Sequence, residues 1–584
     1  MENKQITKTE EPSHKAFKFE NGKLFCWKEG RNKGYECIGN FTLELKGSCR
    51  IVGDADVTNY VIIFTNYKGK ETRILTPITA LADVGRFRVE MLKHGGSFSG
   101  TSKELSQWLM VMLGSKGLKE YHLVRDIYGK HLIKGRDLWI FRNGYYVEGE
   151  FYRLKTDKDY SDAIERHGIY FEFDDSKGKN NAPYYTTGYE GTKDVSDIVC
   201  DVMRFFPEKK TAIRLILAFY ASSLRYQELM DSVNSIFHPI LQVSGKTSTG
   251  KTELFSLLNN LIGLSDVKPT GWLSATPFMN QKDFSTKPNF IVWRDEFREK
   301  GLSNSEKAAK NEMLRSVFNF SGGTKGTKEQ GVNYYPIKSC LILTGEDIPE
   351  DDAIVRRCIS VVMGGKDKVG KDDFYDIKDK AKEWFKFWNF VVEKKLDKDK
   401  FAMLAKQISP IITGAISQTL DTDILSNYTY MLSVYGYFFC NSDKEVNDVV
   451  SEAIKYLKIK FSEQSCEGNV YRFFETVAAA IHNRGKTLPQ YVDFSQREGI
   501  WYVSIWMAGL KQVLGNNVND DNLTIKSIIS ILKEENGAVT GVSHKLPDDD
   551  IEGGTPRRVN RTCIEMDLEK APLIIKDQWF DDIT

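Results

Sequence analysis

The sequence predicts a multidomain α/β protein. It should have a β-rich N-terminal region, a central αβα domain on a parallel sheet, a helical connector and a C-terminal winged-helix domain. Three observations predict it. A glycine loop, GKTSTGKT, stands at Gly245 to Thr252 between a short apolar run and a helical stretch. Residues 17–189 are crowded with aromatic and β-branched side chains at short spacing, while Asp194 to Leu229 and the stretches beyond Lys371 turn to helical periodicity. At 584 residues the chain is also too long for one core, since domains run to roughly 100–200 residues.

Composition narrows the function classes. An apolar fraction of 41% and a charged fraction of 28% belong to an ordinary globular chain and exclude disordered or fibrous classes. The longest apolar stretch, near Ala212 to Leu224, is far short of the roughly 18–20 residues that span a bilayer. The N-terminus MENKQITKTEEPSHK has no apolar signal core, so no membrane partner and a cytoplasmic location are expected. A net charge of +1 means that any nucleic-acid surface must be local. The nine cysteines form no CxxC pair and read as reduced thiols.

The domain expectations track the changes in pattern. Residues 1–16 read as a disordered arm. Residues 17–190 form the β-rich part, with NYVIIFTNYKG, DLWIFRNGYYVEGEFYRL and GIYFEFDD as strands and SKELSQWLMVMLG as a capped helix. Residues 191–370 hold the loop domain. Residues 371–465 are helical throughout and read as a lid and connector. In 466–584, a strand is expected at Gly499 to Ile505 between helices, and further helices are followed by two candidate strands, AVTGVSHKL and RRVNRTCIEMDL, which suggests a winged helix.

The loop carries the clearest chemistry. Gly245 and Gly250 allow the backbone to curl until successive N–H groups face phosphates, so Gly245, Lys246, Thr247, Ser248, Thr249, Gly250, Lys251 and Thr252 form the expected ATP cradle. Lys251 is expected to reach the β and γ oxygens, and Thr252 to ligate Mg²⁺. The strand Ile240 to Val243 before the loop and the helix TELFSLLNNLIG after it supply the required setting, with the helix N-terminus toward the anion.

Further on, NFIVWRDE is a strand ending in paired acids. Asp295 is expected to hold Mg²⁺ through water and Glu296 to polarise the attacking water. A third strand, SCLILTGE, ends at Thr344, a polar residue placed to touch the γ-phosphate or lytic water from between the other two strands; Glu346 is a weaker choice. AIVRRCISV then presents Arg356 and Arg357, whose planar guanidinium suits transition-state charge on phosphate, one of them acting on a neighbouring subunit. Two plain solvent-facing arginines are the alternative.

The ordered set GKTSTGKT, IVWRDE, LILTGE and IVRRC resembles the AAA+ ATPases, in particular the superfamily III and MCM-like helicases. With GWLSATPFMNQKDFSTKPNFIVWRDEF, carrying Trp272 and Thr276, it is similar to the replication initiator helicases of staphylococcal mobile elements, of pathogenicity-island Rep and cassette Cch type. The resemblance covers about residues 195–395. It implies a hexameric ring whose C-terminal domain binds a replication origin and whose motor unwinds DNA. The N-terminal part lacks the cysteine pairs of cellular MCM zinc domains and any acidic primase signature, so neither a zinc-bearing collar nor a fused primase is expected.

DNA contacts are expected in two places. SGGTKGTKEQGVNYYPIK can fold into a hairpin aimed at a ring axis, with Lys325 and Lys328 on phosphates of single-stranded DNA. Tyr334 and Tyr335 are able to stack on bases, although core packing is the preferred expectation. In the C-terminal part, Lys526 and Lys533 lie on a recognition-helix candidate, and Arg557, Arg558 and Arg561 on or beside a wing, for double-stranded origin DNA. The readings that compete with a helicase are a protein-remodelling ATPase of the same class and a nucleotide-switched DNA-binding scaffold. Glu296 argues against the scaffold, because a switch has less need of a positioned base.

Overall fold

The computed structural model describes residues 16–580 except 30–32, 54–57, 114–117, 174–181, 187–193, 246–248, 266, 300–301, 327–331, 350, 364–369, 417–420, 463–465, 484–485, 515–527, 531, 534–535, 548–557 and 573. The expected arm lies almost wholly outside these residues. The fold is mixed α/β, and its contacts divide the chain into two units, Met1–Lys398 and Asp399–Thr584. No helix among the described residues is long and apolar enough to cross a membrane.

The first unit begins with three sheets. Phe17–Glu20, Lys23–Lys28 and Gly34–Gly39 pair antiparallel. A five-stranded mixed sheet has the order Ile169–Glu172, Lys119–Arg125, Phe41–Ile51, Thr58–Asn66, Glu71–Pro77, its first three strands parallel. The helices Val84–Lys93 and Ser102–Leu113 close its core through Phe87, Met91, Leu105 and Trp108 against Phe41 and Phe64. The third sheet is an antiparallel meander, Gly129–Ile133, Arg136–Phe141, Gly144–Val147 and Glu150–Arg153.

The meander explains why this region does not stand apart from the loop domain. Successive side chains of a strand face opposite ways, and all four residues of Gly144–Val147 are buried. Tyr145 stacks on Tyr152 and Phe171 on one side. Tyr146 meets Trp388 edge to face and its hydroxyl donates to Glu393 Oε1 at 2.7 Å on the other. Trp388 and Glu393 belong to the helix Lys386–Glu393, so the expected boundary at residue 371 falls inside the first unit. Backbone bonds run from Tyr128 N to Thr286 O and from Lys130 N to Pro288 O. Between them Gly129 has φ +85°, and a β-carbon there would lie 2.0 Å from Pro288 O.

The loop domain is a five-stranded parallel sheet. Its order is Thr270–Gly271, Ile291–Phe297, Cys340–Gly345, Ile240–Ser244, Cys358–Val362. We refer to Ile240–Ser244 as the loop strand, Ile291–Phe297 as the acid strand and Cys340–Gly345 as the middle strand. Both sheet faces are covered, so loop and middle strands are buried along their length, as near-continuous apolar runs should be. Lys210–Leu224, buried on almost every side, is one of the covering helices.

The second unit opens with four helices, Lys398–Ile416, Thr422–Phe439, Asp443–Ser462 and Cys466–Asn483. Its last part has its own core, including Phe474, Tyr491, Val503, Leu510, Ile564 and Trp579. The expected strand pair is there as Val539–Pro547 and Arg558–Asp567, and the strand expected at Gly499 to Ile505 is there as Ile500–Ile505, all within one four-stranded antiparallel sheet. The strand the sequence reading missed is Val492–Arg497, which pairs with Ile500–Ile505 through a two-residue turn in which Glu498 and Gly499 both have positive φ. The sequence signal for that turn, Glu-Gly, is weaker than Asn-Gly. Most of the expected recognition helix lies outside the described residues.

Candidate functional site

The site forms where three parallel strands end side by side. Because the middle strand separates loop strand from acid strand, a gap opens between the last two, with Thr344 at the end of the strand between them. Gly245 N donates to Gly345 O at 3.1 Å and Met363 N to Ser244 O at 2.8 Å, which clamps the start of the loop to both neighbours. A β-carbon on Gly245 would lie 2.3 Å from Met363 O, so only glycine permits this approach. Gly250 follows at φ +87° and turns the chain into the helix Lys251–Leu258. Lys246, Thr247 and Ser248 lie outside the described residues.

Lys251 Nζ donates to Gly245 O at 2.5 Å and to Thr249 Oγ1 at 3.1 Å, spanning the loop from inside. Burial lowers its pKa, while the nearby Glu346 and Asp295 act to raise it. Asp295 is held on both oxygens. Thr252 donates to Oδ2 at 2.9 Å, and Thr344 at 2.5 Å and the Glu296 N–H at 2.9 Å both donate to Oδ1. Thr344 in turn accepts from Trp293 Nε1 at 2.8 Å. Loop helix, acid strand and middle strand therefore share one hydrogen-bonded group.

The acids sit at a break in the sheet. Pairing is regular from Ile291 opposite Cys340 to Arg294 opposite Leu343, then slips so that Phe297 faces Gly345. One extra residue on the acid strand makes a bulge, and Glu296 takes φ 55°, a costly conformation for a residue with a side chain. Bulges re-aim side chains, and here Glu296 is exposed while Asp295 is half-buried. Thr252 and Asp295 together offer the hard oxygen donors that Mg²⁺ prefers, and Lys251 at a helix N-terminus suits phosphate, so the residues present fit both groups.

The arginines separate. Arg356 is exposed on the turn after Asp352–Val355, whereas Arg357 turns back, donating to Ala353 O and lying 5.4 Å over the Phe318 ring. Phe318 is a buried residue that the sequence could not place beside Arg357. The hairpin expected near Lys325 is present as Gly323–Gly326 with Val332–Tyr335, Lys325 pairing with Asn333. Lys328 lies outside the described residues. Tyr334 is 60% exposed, against the core packing expected for it, and Tyr335 packs on Phe278. The reason is the two-stranded hairpin, which has no second layer over Tyr334.

In the second unit Lys533 and Arg558 are exposed, and Lys526 and Arg557 lie outside the described residues. Arg561 lays its guanidinium 4.1 Å over the Trp506 ring instead of projecting from a wing. Sequence reasoning also missed Trp293 and Arg294, two buried polar-bearing residues in an otherwise apolar strand. That mismatch was the available signal, since buried polar groups need partners.

Fold and loop together define a parallel αβα domain in which a strand–glycine loop–helix junction faces a strand that ends in paired acids. No family model and no curated protein matches the chain. Solved structures do. One described as SCCmec type IV Cch, active helicase, is 14% identical, covers 95% of this chain and 98% of its own, and has a TM-score of 0.47. The NrS-1 C-terminal region is 13% identical over 55% of this chain and 92% of its own, at 0.26. Two structures of the JCV helicase are 12% identical over 51% of this chain and 68% of their own, at 0.19 and 0.20. All of these scores are below 0.5.

Proposed function

We propose that the protein is an ATP-dependent DNA helicase and replication initiator. In this reading it hydrolyses ATP at subunit interfaces of a hexameric ring, draws single-stranded DNA past the hairpin and binds origin duplex through its C-terminal part. The observation that carries the reading is the single hydrogen-bonded group of Thr252, Asp295 and Thr344, with Lys251 and Glu296 beside it.

Lys251 would exchange its contacts with Gly245 and Thr249 for phosphate oxygens. Glu296, exposed at the bulge, would take a proton from the attacking water. Thr252 and Asp295 would hold Mg²⁺, which supplies positive charge against the phosphates when bound. Thr344 keeps the Asp295 carboxylate aimed. Arg356, exposed on its turn, is the arginine we assign to act on a neighbouring copy. The hairpin lysines Lys325 and Lys328 and the exposed Tyr334 would follow a strand of any sequence.

Strand displacement from a forked duplex tests this, together with ATP turnover. Lys251→Ala is expected to abolish both, and Glu296→Gln to lower kcat by about 10²- to 10⁴-fold while nucleotide still binds. Turnover unaffected by Lys251→Ala would remove the site assignment. DNA-stimulated turnover without strand displacement would favour a translocating or remodelling ATPase, and slow turnover indifferent to Glu296→Gln a nucleotide-switched scaffold.

A further inference from the structure

The helix Pro277–Thr286 stands between the hairpin and the acid strand, and its two faces carry different contacts. At about 100° per residue, positions 278 and 281 lie about 160° around the axis from 280 and 283. On the first face, Phe278 meets Tyr335 of the hairpin edge to face at 5.8 Å. Gln281 lies so close over Gly323 that a β-carbon there would come 2.3 Å from its amide nitrogen. On the second face, Asn280 Oδ1 accepts from Arg294 Nε at 2.9 Å and Asp283 Oδ2 from an Arg294 terminal nitrogen at 2.7 Å.

Arg294 is 2% exposed. A guanidinium at that depth is held by its fixed partners and moves with them. It is also the last residue of the acid strand in register before the bulge that aims Asp295 and Glu296. The far end of the helix is tied to the approach to the middle strand, where Lys338 N and Ser339 Oγ both donate to Phe284 O. A displacement of this helix therefore reaches both strands whose ends carry Glu296 and Thr344.

We propose that the helix Pro277–Thr286 transmits engagement of the hairpin by single-stranded DNA to the paired acids, with Arg294 as the positioning residue. The inference rests on the reading of the hairpin as a DNA-contacting element.

The test is steady-state ATP turnover of the full-length protein with and without an oligothymidylate strand, alongside the affinity for that strand. Couplings between sites are generally about 5- to 150-fold. Phe278→Ala, on the exposed face, is expected to keep basal kcat and oligonucleotide affinity while stimulation falls by at least about fivefold. Asp283→Asn should do the same from the opposite face. The double substitution should lose no more than either alone, because both interrupt one route. Arg294→Lys, which keeps the charge but not the fork, should lose stimulation as Asp283→Asn does. Wild-type turnover indifferent to DNA would overturn both the hairpin reading and this inference. Stimulation in the wild type that survives in Phe278→Ala and Asp283→Asn would overturn the inference alone. So would an equal fall in basal and stimulated turnover, which would mark the helix as merely structural.

Discussion

At the scale of the residue, Thr344 decides how the acids are held. Its hydroxyl, fully buried, donates to Asp295 and accepts from the buried Trp293 indole, so one oxygen satisfies a carboxylate and an N–H together. Thr344→Val has nearly the same shape and removes both bonds. It leaves the Trp293 N–H buried without an acceptor, which should cost about 1–3 kcal/mol in urea unfolding. Turnover should fall in parallel because Asp295 loses a partner, and Thr344→Ser should recover much of both. Loss of turnover without loss of stability would mean that the hydroxyl acts on substrate alone. The two neighbouring arginines differ in their surroundings: Phe318 and the Ala353 carbonyl hold the half-buried Arg357, and Arg356 is exposed.

At the scale of the element, Arg225 joins three pieces of the first unit. One of its terminal nitrogens donates to the carbonyls of Val391, Val392 and Lys394 at 3.0–3.1 Å, groups that the end of the helix Lys386–Glu393 would otherwise leave unpaired. Its other nitrogens hold Glu228, which also takes Lys130 of the meander at 2.5 Å. Arg225→Met is expected to cost about 1–3 kcal/mol, because the half-buried Glu228 carboxylate keeps only Lys130 and the carbonyls at the helix end lose their donor. Arg225→Lys should not restore it, since an ammonium cannot reach all of these acceptors.

Glu228 makes the same joint sensitive to acid. Burial alone would raise its pKa, but hydrogen bonds and charge from Arg225 and Lys130 outweigh that and hold it below the ordinary 4.5. An acid with a depressed pKa contributes stability that is complete above the unfolded value and lost as pH falls through the folded one. Stability should therefore decline below pH 4.5, and Glu228→Gln should flatten that part of the profile while lowering stability at neutral pH. An unchanged profile would show that other carboxylates govern acid unfolding.

At the scale of the whole molecule, the proposed function has Arg356 of one copy completing the loop site of another. Lys251→Ala subunits keep the arginine, and Arg356→Ala subunits keep the loop. Each should be inactive alone, and mixing them should recover part of the turnover, measured against the mole fraction of either. No recovery at any ratio would place the arginine's role within its own chain. The C-terminal unit has its own core around Phe474, Tyr491 and Leu510, so substitutions at the joint near Arg225 should leave that core's unfolding in place.

The sequence by itself determined the local pieces: a strand, the glycine loop and a helix at Gly245 to Thr252, the acid strand ending at Asp295, and the strand ending at Thr344. Each is written in a short run of residues whose spacing and chemistry act over a few positions, and the helix at Ser102 was legible for the same reason. Only the tertiary structure decided which pieces meet. The bulge at Glu296, the Thr344 bridge between Trp293 and Asp295, the Arg294 clamp and the inward turn of Arg357 all depend on partners from separate segments. So do the covering of Tyr146 by Trp388 and the joining of the expected C-terminal strands with Val492–Arg497 into one four-stranded sheet. Periodicity tells a strand which faces it has, but the neighbour on each face is chosen by packing and buried hydrogen bonding over the whole unit.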